Sequence, residues 1–167
     1  LWAAIPCTGG SQWVQLNIKK RVGLERLVKH WKDFRKLWGN FVEAAELVIS
    51  LGGTVAIGWP RQCSYWRDEK VKRFLKRHNL IFADFDGCEY GMIPRNPKEE
   101  GMRIKKPWRI ATNNTHLAQA FQKRCSGDHQ HQHAEGRETK FTEEYPDKIA
   151  KTVHSAFKKS CTSPNVS

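Results

Sequence analysis

The feature that most constrains the fold is a run of apolar side chains from Leu24 to Ile49 that recurs every three or four residues. This spacing places them on one face of a helix, so it predicts a long amphipathic helix with one buried side. Gly52 and Gly53 follow the run and predict its end. Because 39% of the residues are hydrophobic and seven are Trp, the chain can bury a core and is not a disordered polyelectrolyte.

Short apolar segments on either side of this helix predict a sheet. Three of them have the length of buried strands: Leu1–Ile5, Thr54–Trp59 and Leu80–Phe85. Asp68–His78 predicts a short basic helix. Since strands alternate with helices, we expect an α/β layered fold with a mainly parallel sheet. Cys88–Ile93 and Met102–Thr112 predict a hairpin that adds an antiparallel edge to this sheet.

The length of 167 residues suits one domain, which we expect over residues 1–160, with a frayed tail over residues 161–167. The chain begins without Met on an apolar run, so we expect a fragment of a longer chain. An odd number of irregularly spaced cysteines and the absence of a signal peptide predict an intracellular protein, nuclear or cytoplasmic. No segment has the roughly 18 uncharged apolar residues of a membrane helix, so we expect no membrane partner.

The charge of the chain indicates a polyanionic partner. Lys and Arg number 29 against 17 Asp and Glu, a formal net charge of +12, which favours nucleic acid, DNA or RNA. Several basic segments could contact phosphates without reading sequence. The candidate contacts are Lys70, Lys72, Arg73, Lys76, Arg77, Lys105, Lys106 and Arg109, with a further basic run at residues 19–21. Trp66 and Trp108 each precede an Arg, and we expect them to stack on unpaired bases.

A cluster of potential metal ligands lies in a polar segment near the carboxyl end of the chain. Cys125, His129 and His131 have spacings that can hold one zinc ion, with His133 as an alternative ligand. Cys88 could complete a set of four if the predicted hairpin lies beside this loop. Two other interpretations stay open for the segment, namely a solvated polar loop and a metal-dependent nuclease site built from His129, His131 and Asp128.

The order of four short motifs resembles that of cytosine-5 DNA methyltransferases. The motifs are Pro6–Ser11, Ile57–Pro60, Cys88–Gly91 and Lys105–Ile110. The resemblance implies a methyltransferase-like, Rossmann-type half-sheet and makes Cys7 a candidate nucleophile on a flipped base. The acid of that family would fall at Gly58, which has no side chain, and the S-adenosylmethionine site of the family has no counterpart in this chain. We therefore expect no methylation by this chain alone, although a missing donor-binding segment could complete such an enzyme.

Most of the chain also resembles a poorly characterised domain in polyproteins of retrotransposons from marine eukaryotes. The resemblance is carried by four blocks: Trp59–Trp66, Cys88–Gly91, Lys106–Arg109 and Cys125–His131. It implies other segments of the same polyprotein as partners. The leading hypothesis is a nucleic-acid-binding accessory domain of a mobile element. The alternatives are an enzyme acting on nucleic acid and a zinc-stabilised structural or interaction module.

Overall fold

The long helix predicted from the apolar spacing is α1, Leu24–Ser50, in the computed structural model, which describes residues 1–11, 24–134 and 137–162. Its buried side chains are Phe34, Trp38, Phe41 and Ala45, at the predicted steps of three and four. Gly52 adopts a left-handed φ of 73°, and the amide of Gly53 donates to the carbonyl of Val48 at 2.8 Å. The two glycines therefore end the helix as predicted.

The strands pair in the order β1–β2–β4–β3 within the described residues. They span Trp2–Ala3 (β1), Ala56–Pro60 (β2), Ile81–Asp86 (β3) and Pro107–Thr112 (β4). β1 and β2 are parallel, with Trp2 opposite Ala56, and α1 connects them as the crossover that parallel strands require. The other pairings are antiparallel. The α/β class is confirmed, but the prediction of a mainly parallel sheet is wrong.

The predicted edge hairpin is also replaced by a different arrangement. Cys88–Ile93 does not form a strand, because Gly87–Tyr90 coils into a 3₁₀ turn. The second arm is present as β4, but it lies between β2 and β3 instead of at the edge. Ile110 and Ala111 are fully buried in it, which suits a strand with neighbours on both sides. One partner of β4 is β3, the strand before it along the chain, whereas the other is β2, which lies further back in the sequence and which local turn signals do not specify.

Four shorter helices complete the described structure, together with 3₁₀ turns at Thr8–Gly10 and Ser64–Arg67. They are α2 (Glu69–Arg77), α3 (Thr115–Ala120), α4 (Arg137–Phe141) and α5 (Asp147–Thr162). Asp68 caps α2, since its side-chain oxygen accepts from the amides of Lys70 and Val71.

No helix in the described ranges is long and apolar enough to cross a membrane.

The chain divides into two compact units, Leu1–Phe82 with Arg109–Asn114 and Ala83–Trp108 with Thr115–Ser167. The core of the first unit is an aromatic cluster that α1 and α2 share with β2, in which Phe34 stacks on Tyr65 with ring centroids 3.7 Å apart. In the second unit, Phe85 and Phe121 pack at 4.8 Å. The expectation of one domain over residues 1–160 stays a prediction.

Candidate metal centre and charged surfaces

The turn after β3 and the segment after α3 bring two cysteines together in the second unit. The turn Gly87–Tyr90 carries Cys88, whose side chain is buried. Asp86, the last residue of β3, joins this turn to the later segment: its amide donates to the carbonyl of Lys123 at 3.0 Å, and its carboxylate accepts from the amide of Cys125 at 2.9 Å. The backbone therefore holds Cys125 beside the turn that carries Cys88.

The histidines reach the same place through a short extended segment. The amide of Arg103 donates to the carbonyl of Gln130, and the amide of Gln132 donates to the carbonyl of Arg103. These two bonds form an isolated parallel bridge between Arg103 and His131. Nε2 of His129 and Nε2 of His131 both lie close to the Cys125 sulfur, so the two rings face this residue together.

The four residues predicted as metal ligands form one cluster. The ligand atoms of Cys88, Cys125, His129 and His131 all lie within 4.8 Å of one another. The Cys125 sulfur is 3.3 Å from Nε2 of His131 and 3.7 Å from Nε2 of His129. Zinc bonds of about 2.3 Å to sulfur and 2.0 Å to nitrogen, at tetrahedral angles, separate two such ligand atoms by about 3.6 Å. The side chains are thus spaced to hold one metal ion.

A second layer of polar groups orients His129. Nδ1 of His129 lies 2.6 Å from a carboxylate oxygen of Asp128, so its Nε2 faces Cys125. The hydroxyl of Ser126 donates to the same oxygen at 2.7 Å, and both the amide and the hydroxyl of Ser126 contact Glu89 at 3.2 Å. A carboxylate on the far nitrogen of a histidine is the arrangement that fixes the tautomer of metal-binding histidines.

The electrostatics of the cluster act on metal binding in opposite directions. Burial, and after it the neighbouring Cys125, raises the pKa of the Cys88 thiol to about 12, so an ion that binds there would have to displace the thiol proton. Burial and the nearby His129 lower the pKa of His131, which keeps its ring in the neutral form that binds metals. One carboxylate oxygen of Asp86 is buried without a hydrogen-bond partner in the described structure. A divalent cation nearby would offset the negative charge of this oxygen and would stabilise the thiolate forms of Cys88 and Cys125.

The sequence also predicts His133 as an alternative ligand and a nuclease site built around His129, and the structure bears differently on these two predictions. His133 is exposed and lies outside the cluster, so the structure does not support it as the alternative ligand. For the nuclease interpretation, Glu89, Asp128 and His129 do lie within 4.8 Å of one another, and Glu89 was not expected there. His129, however, belongs to both groups. The hydroxyl of Ser126 contacts the carboxylates of Glu89 and Asp128, and these two acids therefore help to position His129.

The predicted phosphate contacts on α2 lie on the surface of the first unit. Lys70, Arg73 and Lys76 are exposed and form no ion pair among the described residues. Lys72 pairs with Glu69 at 2.8 Å and Arg77 pairs with Glu46 at 2.9 Å, so two of the five cations are already neutralised. In the second unit Lys105 is exposed, whereas the ammonium group of Lys106 donates to the carbonyl of Thr142 at 2.5 Å. The basic run at residues 19–21 lies outside the described residues.

The expectation that Trp66 and Trp108 stack on bases is wrong, because both rings are buried. Trp66 is 7% exposed within the first-unit core, and Trp108 is 5% exposed beside Tyr145 in the second unit. An aromatic residue that the sequence analysis missed is available instead. Phe82 is 45% exposed, and the guanidinium group of Arg109 lies over its ring at 4.8 Å. The neighbouring Ile81 is also 40% exposed, so the start of β3 leaves two large apolar side chains at the surface and alternation along the strand does not distinguish them.

Cys7 lies after β1 in a tightly packed loop of the first unit. It is half-buried and precedes the 3₁₀ turn Thr8–Gly10. The neighbouring Cys63 is an unreactive thiol, because burial raises its pKa to about 12. Gly58, where the methyltransferase resemblance would place an acid, is buried inside β2. Cys7 as a nucleophile stays a prediction, and the structure offers no side chain at Gly58 to assist it.

Comparisons with protein families, with curated protein sequences and with solved structures find no match for this chain. The resemblances to cytosine-5 methyltransferases and to the retrotransposon domain therefore stay predictions. The function of the chain is inferred from its own residues and from their geometry.

Proposed function

We propose that this chain is a zinc-stabilised module that binds single-stranded nucleic acid. The observation that carries the proposal is the convergence of Cys88, Cys125, His129 and His131. Two thiolates and two imidazoles form a donor set that zinc prefers over the harder Mg²⁺ and Ca²⁺. Four protein ligands fill a tetrahedral shell and leave no position for a substrate, so the role of the ion is structural.

The ion would add a direct link between two parts of the second unit that hydrogen bonds of Asp86 and Glu89 already join. Cys88 lies in a short 3₁₀ turn, and the segment that contains Cys125 and the two histidines has no regular secondary structure beyond the bridge at His131. Because such a site rarely exists in an unfolded chain, the free energy of zinc binding becomes free energy of folding. This favours a structural site over the nuclease interpretation, in which the metal would need open positions for water and phosphate.

Charge and exposed aromatic surface support nucleic acid as the partner. The net charge is +12, and α2 presents to solvent Lys70, Arg73 and Lys76, which have no ion-pair partner in the described part of the chain. Cations of this kind bind the phosphate backbone of any sequence. Phe82 is exposed, and the half-buried Arg109 places its guanidinium group over the Phe82 ring. Unpaired bases stack on such surfaces, which favours single strands over a closed duplex.

The mobile-element context is part of the same proposal. An accessory domain that binds nucleic acid would serve a polyprotein whose other segments carry the catalysis. The methyltransferase-like half-sheet is supported by the parallel pair β1–β2 and by the Cys7 loop that follows β1. Gly58 supplies no acid, and this absence is why we propose binding and not catalysis.

Cobalt substitution tests the metal site. Metal-free protein titrated with Co²⁺ should develop the visible absorption of a tetrahedral ion together with sulfur-to-cobalt charge transfer, and Zn²⁺ should displace it. His131→Ala should weaken binding and change this spectrum, because it removes one of the four ligands. His133→Ala is the matched control and should leave the spectrum unchanged, since His133 lies outside the cluster. Equal spectra for the two variants would contradict the proposal.

A further inference from the structure

A second polar site lies apart from the metal cluster, between α3 and α5 in the second unit. It is a surface cavity of about 500 Å³ that is open to solvent. The lining residues of α5 recur every three or four positions, a spacing that in most helices presents an apolar face to a neighbour. Here the face carries mainly ammonium and hydroxyl groups beside the buried Ala156: Lys148, Lys151, Thr152, Ser155 and Lys159.

The cations of this cavity are not neutralised by its walls. Among the described residues that line it, none is acidic. The ammonium group of Lys148 donates to the backbone carbonyl of Glu89 at 2.7 Å, which fixes its position without cancelling its charge. Lys151 and Lys159 take part in no ion pair that the structure describes. Three exposed lysines therefore line this space with no carboxylate among its walls, and together they give it a positive potential that favours an anion.

Neutral groups on the walls add to the recognition of an anion. Ser155 on α5 and Gln119 on α3 both line the cavity and can donate hydrogen bonds. Phosphate oxygens accept from ammonium, hydroxyl and amide donors together, and several cations around one ligand suit a group with more than one negative charge. The volume exceeds that of an isolated phosphate and lies in the range of sites for small organic ligands.

We propose that this cavity binds a phosphate-bearing ligand, either a phosphodiester of a nucleic acid strand or a free phosphorylated molecule. In the first case the site deepens the proposed function by adding a phosphate contact in the second unit, and to that extent the inference rests on the proposed function. In the second case the site is independent of nucleic acid. The chemistry of recognition is the same in both cases, and the two sources are separated by experiment.

The test uses inorganic pyrophosphate and a single-stranded oligonucleotide as probes of the full chain. Isothermal titration with pyrophosphate should show saturable binding. Lys151→Gln combined with Lys159→Gln should weaken it by about tenfold or more, since two charge-assisted contacts are lost. Lys140→Gln combined with Lys158→Gln removes the same charge from exposed positions outside the cavity and should change the affinity by less than about twofold.

Competition then identifies the source of the phosphate. Displacement of pyrophosphate by the oligonucleotide supports a backbone contact, and undiminished pyrophosphate binding supports a free phosphorylated ligand. The absence of saturable pyrophosphate binding at millimolar concentrations, or equal losses in the two double variants, would overturn the inference. Zinc content measured on the same samples keeps this result separate from a failure of the metal site, because none of the four substitutions touches a proposed ligand.

Discussion

Two glycines of the first unit show how different the demands on single residues are. Gly10 is buried in the loop after β1, where an added Cβ would lie 2.4 Å from the Cys63 sulfur and 3.1 Å from the Tyr65 ring. Gly39 lies on the exposed side of α1, and an added Cβ would meet nothing within 4 Å. The loop that carries Cys7 therefore depends on a residue without a side chain, whereas the helix does not.

These surroundings predict opposite effects of the same substitution. Gly10→Ala should lower the free energy of unfolding by about 1–3 kcal/mol, because the methyl group overpacks a buried contact. Gly39→Ala should raise it by about 0.5–1 kcal/mol, because alanine restricts the unfolded chain and favours the helix. Urea unfolding of the two variants measures both effects. Equal changes, or a stabilising Gly10→Ala, would show that the loop is not packed as described.

The carboxylate behind His129 predicts a second effect at the scale of one residue. Asp128→Asn should weaken zinc binding by about 10- to 100-fold while the fold is kept, because the neutral amide holds the ring less firmly and makes it a poorer ligand. Competition with a chromophoric chelator measures the affinity. Glu99→Gln removes one negative charge from an exposed position and should leave the affinity unchanged. An equal loss in the two variants would assign the effect to net charge alone.

At the scale of elements, the spacing of apolar residues and the capping and turn residues predict helices well and the pairing partners of strands poorly. The steps of three and four between Leu24 and Ile49 correspond to the buried face of α1, and Asp68–His78 corresponds to α2 with its cap. The turn residues between Met92 and Met102 indicated a reversal of the chain correctly. They could not indicate that β4 also pairs with β2, because that contact joins segments distant in sequence and depends on which faces are buried.

The cations of α2 predict how nucleic acid binding depends on salt. Lys70→Gln combined with Lys76→Gln should lower the slope of log affinity against log salt by about 2, because each lysine that contacts a phosphate contributes about one unit. Lys72→Gln combined with Arg77→Gln is the matched control with the same change of charge. It should lower the slope less, since these cations are already paired with Glu69 and Glu46.

Fluorescence anisotropy of a labelled oligonucleotide over a series of salt concentrations supplies these slopes. A wild-type affinity that hardly changes with salt would argue against the phosphate contacts of α2. Equal slopes in the two double variants would show that all four cations of this helix contribute alike, and Lys70 and Lys76 would then have no special role in binding phosphate.

At the scale of the whole molecule, the cluster of four candidate metal ligands is more predictable from the sequence than the sheet. The side chains that chelate one ion are limited to a few types, and Cys125, His129 and His131 lie within seven residues of one another. Their partner Cys88 was inferred from a hairpin that does not exist, yet the 3₁₀ turn after β3 brings it to the same place. The layer formed by Asp128, Ser126 and Glu89 could not be predicted, because it depends on how two loops fold together.

The zinc content of protein purified without chelators is the decisive measurement for the metal site. Mass spectrometric metal analysis should find one zinc ion per chain in the wild type and in Cys161→Ser, whose cysteine is exposed on α5. Cys125→Ser should fall well below this ratio, because it removes a ligand that lies 3.3 Å and 3.7 Å from the two histidine nitrogens. A wild-type protein that is stably folded and free of metal, and that takes up no added Zn²⁺, would contradict a structural zinc site.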